Sequence, residues 1–123
     1  MHSLTMLDHF QNPRNAGELP PPAITVEVTN PVCGDILRLS VLVEGDRLRD
    51  VRFKAKGCVA SIACGSLLTE LIKGKTLAAA GRISAFVVAT ALGGLAPESG
   101  HASVLTEDAL KAALREARRL PPR

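Results

Sequence analysis

The hydrophobic period of this chain changes once, near Gly57, and that change limits the folds open to it. Upstream, Ile24, Val26 and Val28 alternate with Thr25, Glu27 and Thr29. The same period of two returns at Leu37, Leu39, Val41 and Val43 and, after the turn Glu44-Gly45-Asp46, at Val51, Phe53 and Ala55. Such alternation is the mark of strands with one buried face, joined here as antiparallel neighbours. Downstream, Ile62, Leu67, Leu68, Leu71 and Ile72 recur at helical spacing, and Lys73-Gly74 supplies a stop. Thr76 can cap a short helix over 77–80, and Ser84 another that Gly93-Gly94 ends. Thr106 reads as the N-cap of a last helix, with Glu107 and Asp108 in its first turn, Leu110, Ala113, Leu114 and Ala117 on one face, and Pro121-Pro122 as its stop. Strands followed by helices predict an α+β domain, a three-stranded antiparallel sheet with helices packed on one face.

Before the first strand, Leu4, Leu7 and Phe10 suggest a short helix that Asn12-Pro13 ends, and Pro20-Pro21-Pro22 forms a stiff connector. The 123 residues, 46% hydrophobic and 22% charged, suit one domain over 1–123 with a real core. The longest nearly uncharged stretch, near Ala85–Leu95, is too short to span a bilayer, and the first residues show no basic region followed by an apolar run. The expectation is a cytoplasmic protein without a membrane partner. A net charge of +3 is spread along the chain beside acidic residues, there is no Trp or Tyr, and Phe10, Phe53 and Phe86 suit a core. Nucleic acid is therefore not an expected partner. Three cysteines in such a chain point to reduced thiols used for metal or sulfur chemistry rather than to disulfides.

The residues able to carry that chemistry sit at element junctions. Cys33-Gly34-Asp35 precedes the second strand, where residues two apart share a side and Gly34 permits a bend. On the tripeptide alone, a β-turn with a small buried Cys and a turn-forming Asp is the simpler explanation. Cys58 follows Gly57 where strand gives way to helix, so a helix N-terminus and Lys54 or Lys56 would favour its thiolate, although a packed thiol is the plain alternative. Cys64, six residues on, is turned away from it in a helix and suits the core. His101 lies in the loop Pro97–His101, where a histidine is usually just solvated. Together Cys33, Asp35, Cys58 and His101 offer two sulfurs, an oxygen and a nitrogen, enough for zinc or for part of a two-iron cluster. Their spacing alone does not bring them together.

Several motifs, in order, resemble those of the IscU/SufU/NifU N-terminal scaffold family. They are His9-Phe10-Gln11-Asn12-Pro13-Arg14-Asn15-Ala16-Gly17, Asn30-Pro31-Val32-Cys33-Gly34-Asp35, Phe53-Lys54-Ala55-Lys56-Gly57-Cys58, Thr69-Glu70 with Lys73-Gly74-Lys75, and Gly100-His101-Ala102-Ser103. The resemblance implies an α+β scaffold without turnover of its own. It implies assembly of a [2Fe–2S] cluster from sulfur delivered by a cysteine desulfurase, transfer to acceptor proteins, and zinc as an alternative occupant. The implied ligands are Cys33, Asp35, Cys58 and His101. Oxygen is a poorer match to iron than thiolate, so Asp35 would keep the cluster transferable.

Two positions depart from the family pattern. Ala102 stands where the resemblance calls for a third cysteine, one implicated in accepting sulfur, and Cys64, where the family has a serine, is the possible additional ligand. Leu95–Ser99 replaces a Leu-Pro-Pro-x-Lys stretch that chaperones recognise in one branch. The rival readings are a family member that holds zinc for structure or regulation without assembling clusters, and an enzyme with Cys58 as nucleophile and His101 as base.

Overall fold

The structure, a computed structural model, describes residues 3–32 and 34–119, apart from the side chain of Glu98. Cys33 and the stop at Pro121-Pro122 lie outside the described residues. The elements run α1 (Leu4–Gln11), β1 (Ile24–Thr29), β2 (Ile36–Glu44), β3 (Arg47–Lys56), α2 (Val59–Ile72), α3 (Leu77–Ala80), α4 (Ala85–Ala91) and α5 (Gly100–Arg119), with one 3-10 turn, Pro97–Ser99, before α5. The strands form an antiparallel sheet of order β1-β2-β3.

Register aligns the apolar positions found by alternation. Val26 faces Leu39 and Leu39 faces Phe53, while Ile24, Val41 and Val51 form a second such row. These rows make one apolar face, against which α5 packs over β1 and β2 and α2 packs over β3. The other face is polar: Thr25 and Ser40 join their hydroxyls at 2.9 Å. A bulge after Leu42 sets Val43 opposite Leu48 but Leu42 opposite Asp50. The extra residue reverses the alternation, so Leu48 and Val51, three apart, are both buried.

Helix α2 is the centre of the fold, covered by the sheet, α5 and α1. Ala60, Ala63, Cys64, Leu67 and Leu68 are buried, and so are Ser61, Ser66 and Thr69, whose hydroxyls are all bonded. A helix enclosed on most sides shows no clean polar stripe. No helix among the described residues is long and apolar enough to cross a membrane.

The fold corrects four sequence expectations. The stripe on α1 is Met6 and His9, not Leu4 and Leu7: Leu4 is 86% exposed, and the buried polar His9 hides the stripe from a hydropathy reading. Phe86 is 76% exposed rather than in the core, because Val88 and Leu92, four apart, take the buried side of α4 and a residue two before Val88 points away from it. Helix α5 begins at Gly100, six residues before Thr106, and His101 lies in its first turn rather than in a loop. Ala102, Leu105 and Ala109 extend its buried face, and the hydroxyls of Ser103 and Thr106 donate within the helix to the carbonyls of Gly100 (2.9 Å) and Ser103 (2.7 Å). Thr106 is therefore an interior residue, and Glu107 accepts the Ala85 N–H at 2.7 Å, capping α4 instead of its own helix.

Candidate metal centre

Three separate pieces of chain meet at one end of the sheet. The β1–β2 loop closes on itself: Asn30 N–H donates to the Asp35 carbonyl (2.8 Å), Gly34 N–H to the Asn30 carbonyl (2.7 Å), and Val32 N–H to Asn30 Oδ1 (2.9 Å). This closure carries Asp35 to the start of β2 with its side chain almost buried. Cys58 is the N-cap residue of α2, its carbonyl accepting the N–H of Ser61 and of Ile62, and its sulfur is exposed. His101 comes in from the first turn of α5.

The donor atoms form a small triangle. Asp35 Oδ2 lies 3.5 Å from Cys58 Sγ and 3.5 Å from His101 Nε2, and Sγ lies 4.0 Å from Nε2. All three lie within 4.8 Å of one another. A tetrahedral zinc with ordinary bond lengths separates sulfur from nitrogen or oxygen by about 3.6 Å and nitrogen from oxygen by about 3.4 Å. The triangle matches those edges to within about half an ångström, and its mixture of sulfur, nitrogen and oxygen suits zinc or iron. One further ligand would complete four-coordination.

Two residues that the sequence reasoning missed hold the triangle in shape. Ser61, buried one helical turn after Cys58, donates to Asp35 Oδ2 at 2.5 Å and sits 3.4 Å from Cys58 Sγ. Its spacing of three from the N-cap, on the same side of the helix, was the available signal. Gly57 has a φ of +155°, and a Cβ there would lie 2.5 Å from Asp35 Cγ and Oδ1. The carboxylate occupies the space that a side chain would need, so glycine is required by close approach as much as by backbone angle.

Of the remaining sequence candidates, Cys33 lies outside the described residues. Cys64 is not in the converging group; it is wholly buried in the core, where burial, with a contribution from Cys58, pushes its thiol up to about 12. Ala102 follows His101 but faces inward and is wholly buried. His9, given no role from sequence, is buried with Nδ1 2.7 Å from Ser66 Oγ and Nε2 3.3 Å from Glu70. Ser66 Oγ also accepts the Arg14 N–H at 2.9 Å, so this cluster fastens α1 and the loop after it to α2.

Comparison with known proteins gives one consistent result. A family model described as the NifU-like N-terminal domain matches residues 1–120. The iron–sulfur cluster assembly scaffold protein IscU 1 of Archaeoglobus fulgidus is 44% identical over 114 residues, covering 93% of this chain and 74% of that one. The IscU scaffold protein of Azotobacter vinelandii is 44% identical over 119 residues, covering 94% and 92%. Among solved structures, the N-terminal part of a NifU-like protein from Brucella abortus superposes with a TM-score of 0.76 at 20% identity, covering 97% of this chain and 95% of that one, a likeness of fold. A SUF-system protein from Fervidobacterium islandicum AW-1 also reaches 0.76, at 26% identity, covering 92% and 96%. The matched span and these identities show that the chain belongs to the NifU-like N-terminal domain family.

Proposed function

We propose that this protein carries an iron–sulfur cluster, of the [2Fe–2S] type, and passes it to acceptor proteins, holding its cargo through Cys33, Asp35, Cys58 and His101. The observation that carries the reading is the triangle of oxygen, sulfur and nitrogen drawn from β2, α2 and α5, with edges of the length a bound metal imposes. The named scaffold relatives support the same role. Zinc is the alternative occupant. A cysteine desulfurase in the cytoplasm supplies the sulfur, and the protein presents the cluster rather than turning over a substrate. Asp35 makes the site weaker for iron than an all-thiolate one, which favours release. Protein purified without oxygen from iron-replete cells should contain iron and acid-labile sulfide in proportion. Protein that stays colourless and metal-free after reconstitution with a desulfurase refutes the reading.

A second reading is favoured by Ala102, a wholly buried methyl group at the place where the family resemblance calls for a sulfur-accepting cysteine. On that reading the protein holds zinc and assembles no cluster. Ala102→Cys separates the two: a large gain in cluster assembly over the native protein supports the zinc-holding reading, and native protein that itself assembles a full cluster, with no gain in the variant, supports the carrier. The inward setting of residue 102 means that the added sulfur reaches the centre only if the first turn of α5 rotates.

A further inference from the structure

The outer edge of β3 is only partly covered. Phe53 turns its N–H and C=O away from β2, and the segment after α1 takes them: Phe53 N–H donates to the Asn15 carbonyl at 2.9 Å, and Gly17 N–H to the Phe53 carbonyl at 2.8 Å, as a parallel bridge centred on Ala16. Strand geometry points the N–H and C=O of Ala55, two residues on, toward the same edge. The covering segment has left by then. Gly17 turns with φ +129°, and Glu18 pairs with Arg38 on the polar face of the sheet at 3.4 Å. The edge groups of Ala55 have no partner among the described residues.

Beside this gap lies an open groove of about 530 Å³ whose walls are mostly apolar, from Pro13, Ala16, Phe53, Ala55 and Ile62, with Lys54 also bordering it. On the polar side, Lys54 and Lys56 are exposed and make no ion pair among the described residues. An added strand would send alternate side chains to these two sides. We propose that the edge of β3 at Ala55 accepts an extended segment of a partner protein, with alternating apolar and acidic residues, as a fourth strand. Its apolar side chains fill the groove, its carboxylates meet Lys54 and Lys56, and Ala55 supplies the backbone pair. Ala55 precedes Cys58 by three residues, roughly 10 Å of extended chain, so the bound segment runs beside the candidate metal centre. The proposal goes beyond the cluster-carrier reading and holds whether or not metal is bound.

The test uses metal-free, isotopically labelled protein and an acetylated, amidated peptide of alternating glutamate and valine at low salt. Amide signals at Ala55 and along the groove should shift, and exchange of the Ala55 amide proton should slow by about tenfold or more at saturation. Ala55→Pro removes a donor that faces outward, a place where an edge strand tolerates proline, and should weaken binding by at least about tenfold. The peptide supplies a second arm that leaves the protein untouched. Methylating one alternate set of its backbone nitrogens should abolish binding, and methylating the other set should not. Shifts confined to another surface, no binding at millimolar peptide, or two methylated peptides that behave alike overturn the proposal.

Discussion

Gly57→Ala tests the site with the least added mass, since it introduces one methyl group and removes no donor. The new Cβ would sit 2.5 Å from both Cγ and Oδ1 of Asp35 and 2.9 Å from Oδ2. Ordinary contact is about 3.5–4.0 Å, so the carboxylate must retreat by about 1 Å. That retreat lengthens the 2.5 Å bond from Ser61 Oγ and the two 3.5 Å edges of the triangle by up to about 1 Å each, enough to weaken the hydrogen bond and spread the donors beyond the spacing a shared metal needs. Zinc affinity should fall by about 10–100-fold, or about 1.4–2.7 kcal/mol. The backbone angle adds about 1–3 kcal/mol of lost stability. Competition against a chromophoric zinc chelator measures the first effect and urea unfolding the second. Gly45→Ala is the control: its φ of +64° is also strained for alanine, but nothing lies within 4 Å of the added Cβ. It should lose stability and keep its zinc affinity. Unchanged zinc affinity in Gly57→Ala would refute the claim that Asp35 is held in position by the missing side chain.

Ser61→Ala deletes the hydroxyl that donates to Asp35, leaving a nearly buried carboxylate with one donor fewer. Zinc affinity should drop by about tenfold and unfolding free energy by about 1–3 kcal/mol, read by the same titration and denaturation; Ser61→Thr should restore part of both. Cys64, with its thiol pushed up to about 12 and no exposed surface, should resist iodoacetamide at neutral pH in the native protein while the exposed Cys58 reacts. Peptide mass spectrometry reads the difference, and native-state labelling of Cys64 would contradict its place in the core. Burial, then the charge of Arg14, holds the His9 imidazole below its ordinary value of 6.5, although Glu70 and Asp8 act in the opposite direction. Just below pH 6.5 the unfolded chain therefore binds more protons at this residue than the folded one, so stability is full above that pH and falls as acid is added, by at most about 1.4 kcal/mol per pH unit, until the folded-state value is passed. His9→Gln should flatten that part of the profile in denaturation at stepped pH; an unaltered slope would show that His9 does not titrate between the two states in this way.

Period-two alternation identified all three strands because one face of each is buried, and the caps Thr76 and Ser84 marked α3 and α4 because a hydroxyl at an N-cap bonds its own first turn. Such signals are local, carried by residues a few positions apart. The start of α5 escaped them because Thr106 looks like a helix boundary in sequence, whereas in the fold it is buried and bonds back within the helix to the Ser103 carbonyl. The exposure of Phe86 and the burial of His9 depend on which side of a helix meets a neighbour, and composition does not encode that.

The candidate centre divides in the same way. Sequence determined which donor types exist and placed Asp35, Cys58 and His101 at element junctions, where side chains are free of regular packing. Tertiary structure alone decided that atoms 23 and 43 positions from Cys58 lie 3.5 and 4.0 Å from its sulfur. It also decided that Ser61 and the bare backbone of Gly57 fix the carboxylate. The physical reason is that periodicity is set by rotation per residue along one element, whereas convergence is set by how α2 and α5 lie across the sheet, a sum of many contacts no single segment contains.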